Sequence, residues 1–326
     1  MRSLLPCRTL MPPPDFPLEL RQMPHHRSGT NPADPIDTPA EDMLAAESGQ
    51  ATMEQLEILQ APLLVRIDWL IHGFSTRKGG RSMIYSQSPT GGELNLGFTN
   101  SDDASTVVAN RKDFLEALTG NPGFPLVTLR QVHSSTVVQV EAPPAAASTS
   151  GFAEADGMMT DQPGILLGIQ TADCIPVLVA DRKRRAVAGF HAGWRGTVKR
   201  IVEQGLERMR SEFRSSPEDL VAVIGPGIGA CCYEVGNEVE DEFMVQCPYA
   251  AELFLRVGSA ELNTKKHPHL DLVEANRRQL LGAGLDLEAI AVVQQCTSCN
   301  TDRFFSYRAE RGTTGRMLSV IGIRPC

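Results

Sequence analysis

From Gly164 to Gly193 the chain carries three apolar runs almost end to end: G-I-L-L-G-I-Q-T, C-I-P-V-L-V-A-D and A-V-A-G-F-H-A-G. The first two are broken at Thr171-Ala172-Asp173, and the last two by a short basic stretch, R-K-R-R. Each run has the length of a strand, and no helical stretch lies between them. Parallel neighbours need a crossover of roughly a dozen residues or more, which these breaks do not supply. The segment therefore predicts a mixed α/β (α+β) domain rather than a strict parallel array.

The rest of the chain fits that class. LLVRIDWLIHGFST reads as a strand leading into a turn at Lys78-Gly79-Gly80. In TVVANRKDFLEALTG, Val107, Val108, Phe114, Leu115 and Leu118 recur at helical spacing before Gly120. LVTLRQVHSSTVVQVE is a pair of β-rich runs with His133 near the middle. The clearest helix runs from Thr197 to Phe213, with Val198, Ile201, Val202, Leu206, Met209 and Phe213 on one face. LVAVIGPGIG is a further strand and glycine turn, and Asp271 to Leu281 is a helix. AIAVVQQCT, FFSYR and MLSVIGI read as strands, the last two closing the domain.

Residues 1–60 have a different texture, with many prolines, few aromatics and scattered charge. They offer little apolar surface to offset ordering entropy, so they are expected to form a poorly ordered leader before a single domain spanning 61–326. The opening MRSLLPCRTLMPPP is too short in its apolar part and too rich in proline for a secretory signal. A net charge of −8 without a long Lys/Arg run argues against nucleic acid or an anionic membrane as partner. No apolar stretch has membrane-spanning length, so a soluble, cytoplasmic protein is expected.

Seven histidines and eight cysteines carry most of the reactive chemistry. His25 and His26 lie in the leader, His267 and His269 in a polar loop, and His72 follows an apolar strand. His133 and His191 remain, both in strand-and-turn contexts where a scaffold can aim a side chain. Cys174 stands at the break between two strands, and a hairpin between Cys174 and His191 would bring the two side by side. Two imidazoles and a thiolate suit zinc, and three ligands leave a fourth position open, as catalytic sites do. Each of the three could equally be a packed core residue.

The turn H-A-G-W-R-G (191–196) feeds a helix, so free N–H groups and Arg195 could hold an anion there; a plain strand-to-helix turn is the competing reading. Its glycines are expected to supply unusual backbone angles. Arg77, in S-T-R-K-G-G, is a second candidate anion ligand or a surface residue beside a turn. Asp173 abuts Cys174 and is a candidate for handling a proton. Cys231 and Cys232 are adjacent and ill placed to chelate one metal together, so they read as core or wall residues. Cys296-Thr-Ser-Cys299 is a lone C-x-x-C, weak for structural zinc and open to a redox or accessory metal role. G-P-G-I-G-A-C-C lacks the Lys-Ser/Thr ending of a phosphate-binding loop.

Together, R-Q-V-H (130–133), A-D-G-M-M-T (155–160), T-A-D-C (171–174), H-A-G-W-R-G (191–196), G-P-G-I-G-A-C-C-Y-E-V (225–235), F-F-S-Y-R and T-G-R-M resemble the laccase-domain family. The likeness runs from about Ile71 to Ile323 and begins with H-G-F-S-T-R-K-G-G and L-N-L-G-F. Its members, long called multicopper polyphenol oxidases, are described as purine nucleoside phosphorylases with adenosine deaminase activity. The resemblance implies a layered α-β-β-α fold and a Zn2+ site on His133, Cys174 and His191. It also implies phosphorolysis of adenosine, inosine, guanosine and methylthioadenosine, and deamination of adenosine. Purine nucleosides and phosphate are then the expected partners, with Arg77 and Arg195 holding the phosphate. The oligomeric state is left open.

Two other chemistries compete. A copper-dependent (Cu2+) polyphenol oxidase would assemble several coppers on roughly ten histidines, and only five lie outside the leader. A Cys–His hydrolase would use Cys174 as nucleophile and His191 as base, which fits a link of the family to peptidoglycan-precursor editing.

Overall fold

In a computed structural model, residues 19–20, 56–86, 91–142, 152–256 and 267–325 are described. Their strands pair into two large mixed sheets. One has the spatial order β1 (Glu19–Leu20), β2 (Ile58–Gln60), β3 (Leu70–Ser75), β15 (Met317–Ile323), β8 (Leu166–Thr171), β4 (Leu126–Arg130) and β6 (Phe152–Glu154). The other runs β14 (Ile290–Val292), β11 (Leu220–Ile224), β9 (Ile175–Asp181), β10 (Ala186–Ala192), β7 (Gly157–Thr160) and β5 (Val137–Gln139). A small hairpin joins β12 (Phe254–Arg256) and β13 (Pro268–Leu270). Most neighbours are antiparallel; β4 with β6 and β8, β5 with β7, and β11 with β14 are parallel.

The sheets stack face to face, and side-chain alternation along each central strand builds three cores. On β9, Leu178 and Ala180 face the other sheet while Val177 and Val179 face outward. On β11, Val221 and Val223 point inward, and Leu220, Ala222 and Ile224 outward. Helices cover both outer faces. Phe114 and Leu115 of α2 (Ala104–Thr119) pack on Ile71, Leu166, Leu318 and Val320. Helices α3 (Trp194–Val198), α4 (Ile201–Phe213), α5 (Asn237–Gln246) and α6 (Leu272–Gly282) cover the second sheet. The architecture is the α-β-β-α sandwich that the resemblance implied. Among the described residues no helix is long and apolar enough to cross a membrane.

Local signals explain the helix ends. The Asp103 carboxylate accepts the Thr106 N–H at the start of α2, and Gly120 ends it in the left-handed region. Asp271 caps α6 through the Glu274 N–H.

Four expectations change in detail. The helix expected from Thr197 to Phe213 is two helices, because Arg200 adopts φ 63° and turns the chain between α3 and α4. LLVRIDWLIHGFST opens with a short helix, α1 (Pro62–Val65), before β3. FFSYR is not a strand: it forms turns in which Phe304 and Phe305 are buried. Within the expected leader, β2 pairs with β3 and with β1, and Leu59 is fully buried, so the packed domain begins before Pro62. The remainder of the leader lies outside the described residues.

Candidate active site

The chain crosses between the two sheets repeatedly, and two of the crossings carry metal-ligating side chains. After β4 it passes through His133 to β5, and after β8 it passes through Asp173 and Cys174 to β9. The hairpin expected from β9 to β10 forms, with Ala192 opposite Ile175 and His191 opposite Pro176. Cys174 therefore faces the end of β10. One donor atom each from His133, Cys174 and His191 lies within 4.8 Å of the others. The Cys174 sulfur stands 3.7 Å from His133 Nε2, and the two imidazole rings meet edge to face at 4.8 Å.

The organiser of this cluster is Asp156, in the A-D-G-M-M-T segment, a residue that sequence reasoning missed. Its buried carboxylate accepts the N–H of Val132 (3.2 Å), His133 (2.9 Å) and Ser134 (2.6 Å) and the Ser134 hydroxyl (2.7 Å). It also lies 2.7 Å from His191 Nδ1. A carboxylate only accepts, so Nδ1 carries the proton and Nε2 is left for a metal. The same bonds hold His133 at φ 59°, in the left-handed region that is uncommon for residues other than glycine. The sequence offered no handle on this role, since one aspartate among the chain's carboxylates carries no mark of its partners.

Burial pushes the Asp156 carboxyl up, but the bonds from His191 and Ser134 outweigh it and hold it at about 2. Burial likewise raises the Cys174 thiol, yet the neighbouring His191 and His133 bring it down to about 6. Burial lowers His191, while Cys174 and Asp156 hold its proton up to about 9. In metal-free protein the pair is thus thiolate and imidazolium, and a cation would displace the imidazolium proton.

The donor set fits zinc: a deprotonated sulfur, an imidazole turned inward by a carboxylate, and a second imidazole at the rim. Room for it comes from Gly193. A Cβ there would stand 2.9 Å from the Cys174 sulfur and 2.9 Å from His133 Cδ2. Its φ of −68° is ordinary, so this glycine serves close approach and not the unusual angle expected from the sequence. Gly196 is similar, since a Cβ would meet the Ser134 carbonyl at 2.9 Å.

The cluster opens into a cleft of about 890 Å³, within the usual size for small-ligand sites. Phe98, Trp194, Tyr233 and Tyr307 supply aromatic faces, and Arg195, Arg308 and Arg316 supply positive charge. Arg195 is exposed beside the cluster with its guanidinium over the Trp194 ring. Gln131 and Gln170 are locked together, Gln131 donating to the Gln170 carbonyl (2.7 Å) and accepting its N–H (2.8 Å). Arg308, Arg316 and the tyrosines lie in motifs that carried the resemblance but had no chemical signal of their own.

Two expected site residues stand differently. Arg77 does not line the cleft. Its guanidinium, 1% exposed, pairs with Glu93 (2.9 Å) and Glu310 (3.0 Å), donates to the carbonyls of Thr301 and Tyr85, and stacks on Phe305. Every face is engaged in tying loops together, so it has none left for phosphate. Asp173 does line the cleft, but Oδ1 accepts the Thr297 hydroxyl (2.6 Å) and Oδ2 the Arg308 N–H (2.7 Å). It tethers two loops to the crossing, and its φ of 90° is held by those bonds.

The four cysteines of the loops after β11 and β14 behave unlike the sequence reading. Cys231, Cys232, Cys296 and Cys299 bring their sulfurs within 4.8 Å of one another.

The model of a family described as multi-copper polyphenol oxidoreductase laccase matches residues 71–324. A Geobacillus stearothermophilus protein named purine nucleoside phosphorylase YlmD is 38% identical over 261 residues, 78% of this chain and 90% of that protein. A Deinococcus radiodurans purine nucleoside phosphorylase is 39% identical over 273 residues, 83% of this chain and 95% of that one. The crystal structure of YlmD from Geobacillus stearothermophilus superposes with a TM-score of 0.71 at 32% identity, covering 82% of this chain and 96% of that chain. With likeness running through nearly all of the sandwich and all three residues of the cluster, this chain belongs to the laccase-type polyphenol oxidoreductase family, among whose members are proteins named purine nucleoside phosphorylase.

Proposed function

We propose that this protein is a zinc-dependent purine nucleoside phosphorylase acting on adenosine, inosine, guanosine and methylthioadenosine, with adenosine deaminase activity. The observation that carries this reading is the convergence of His133, Cys174 and His191 at the floor of a cleft with aromatic walls and a cationic rim. The names of the relatives supply the substrate class.

His133, Cys174 and His191 would hold the ion, and Asp156 would fix the ring of His191. A bound zinc supplies Lewis acidity at the cleft floor. The aromatic faces stack a purine, and Gln131, by holding the Gln170 backbone, fixes the position from which the Gln170 amide reaches its polar atoms. Arg195 and Arg308 hold phosphate against ribose C1′, so that the C1′–O bond forms as the C1′–N bond to the purine breaks. Asp173 acts on Arg308 by holding its backbone rather than by moving a proton.

Chromatography of products from each nucleoside, with and without phosphate, tests the reading. Free base and ribose 1-phosphate should appear only with phosphate, inosine should form from adenosine without it, and Cys174→Ala should abolish both. Persistence of both in Cys174→Ala would refute the scheme. Metal analysis after purification without added copper separates zinc from copper. The thiolate at Cys174 also suits a nucleophile, so a thiol reagent offers a second check. Protection of Cys174 by zinc marks a ligand; labelling of zinc-loaded protein marks a nucleophile.

A further inference from the structure

Two groups of metal-ligating side chains occur among the described residues, and the second shares no member with the cleft. Strands β11 and β14 are parallel neighbours, so the loops at their C-terminal ends leave the sheet on the same side. Those loops stay in contact. The Thr297 N–H donates to the Gly227 carbonyl (3.0 Å), and Gly227 pairs with Cys296 as an isolated parallel bridge. One loop brings Cys231 and Cys232, and the other brings Cys296 and Cys299.

The turn after Gly229 explains how adjacent cysteines reach one point. Both the Cys232 and Tyr233 N–H groups donate to the Gly229 carbonyl (3.0 Å each), which winds the chain tightly there. Cys299 then lies 3.5 Å from the Cys231 sulfur and 3.3 Å from that of Cys232. Four thiolates at zinc–sulfur distances of about 2.3 Å stand about 3.8 Å apart along a tetrahedron's edges. The observed spacings lie on that scale. The Gly229 N–H points at the Cys296 sulfur (3.2 Å), the kind of donor that stabilises a ligating thiolate. A Cβ at Gly229 would crowd this arrangement, standing 3.2 Å from the Cys231 sulfur and 3.3 Å from Cys296 Cβ.

We propose that Cys231, Cys232, Cys296 and Cys299 form a second zinc site, a closed tetrathiolate that clamps the loop after β11 to the loop after β14. Each ion bound displaces up to four thiol protons to solvent, and no oxidant is needed. With four protein ligands the site has no open position, so its role is structural. Its position gives that role a target. Thr297, between Cys296 and Cys299, donates to Asp173, and Tyr233, next to Cys232, forms part of the cleft wall. Clamping the loops fixes both.

Full-length protein carrying Cys174→Ala, purified under reducing conditions, isolates this site from the first. It should retain about one zinc per chain after dialysis, and cobalt(II) in its place should show the strong charge-transfer and ligand-field absorption of a four-sulfur tetrahedral site. Adding Cys296→Ser with Cys299→Ser should remove that ion and its spectrum. Cys231→Ser with Cys232→Ser, on the opposite loop, should do the same and guards against a folding failure of the first pair. Retained zinc should also shield four thiols from a thiol reagent until a chelator is added. The proposal is overturned if the Cys174→Ala protein holds no ion, if either cysteine pair can be replaced without loss of metal, or if mass spectrometry of the reduced preparation finds these cysteines as disulfides.

Discussion

Asp156→Asn keeps the shape of the side chain and removes the charge that organises the His133–Cys174–His191 cluster. One carboxylate oxygen accepts from the His133 N–H and faces His191 Nδ1; the other accepts from the Val132 and Ser134 N–H groups and the Ser134 hydroxyl. An amide turns its NH2 toward one of these sets, so either orientation loses two or three of the five bonds. Hydrogen bonds to a charged group contribute ~1.5–3 kcal/mol each and do not add in full. Linkage gives an independent scale. A carboxyl held at about 2 in the fold, against 3.8 in the open chain, contributes roughly 2 kcal/mol. That contribution is complete above 3.8 and is lost as pH falls through about 2; on the order of half has gone by pH 3. The expected loss of stability at pH 7 is ~2–4 kcal/mol, narrowing by ~1 kcal/mol at pH 3. Zinc affinity should weaken by about 10–100-fold, the usual consequence of removing a partner that orients a ligating histidine. Denaturant unfolding at the two pH values and competition with a chelating dye measure these quantities. A folded Asp156→Asn protein that binds zinc as tightly as the wild type would show that the carboxylate does not orient the ligands.

Gly193→Ala should leave the melting temperature nearly unchanged, because φ is ordinary, yet weaken zinc binding at least about tenfold by crowding Cys174 and His133; a zinc titration with wild-type affinity would contradict this. Arg77→Lys should cost about 2–4 kcal/mol in unfolding experiments, since an ammonium cannot fork between Glu93 and Glu310. The KM for phosphate should stay unchanged, and a rise in KM with stability intact would return Arg77 to the phosphate site. His72 is buried on β3, where its Nε2 accepts the Ala61 N–H (3.0 Å), and burial lowers its pKa to about 4. The folded ring stays neutral while the open chain takes up a proton below about 6.5, so this residue withdraws ~2 kcal/mol between pH 7.5 and pH 5. His72→Gln should flatten that part of the stability–pH curve, and an unchanged slope would place the acid sensitivity elsewhere.

Much of the framework was legible in the sequence because it rests on short-range periodicity. The back-to-back apolar runs from Gly164 to Gly193 became β8, β9 and β10; which face each side chain takes, Leu178 inward and Val177 outward, came from the stacking of the two sheets. The β9–β10 hairpin was equally readable, so Cys174 and His191 could be placed together. Its third companion, His133, could be named by elimination and by resemblance, while its arrival at the same point depends on two crossings between separate sheets. Only the tertiary structure decided which polar groups meet across such distances. It drew Asp156 beneath the ligands, put Arg77 in a buried ion-pair network, engaged both oxygens of Asp173, and gathered four cysteines from loops 60 or more residues apart. A side chain's charge and size are written in the sequence, but its partners are set by strand order and register, which join residues whose separation along the chain carries no local signal.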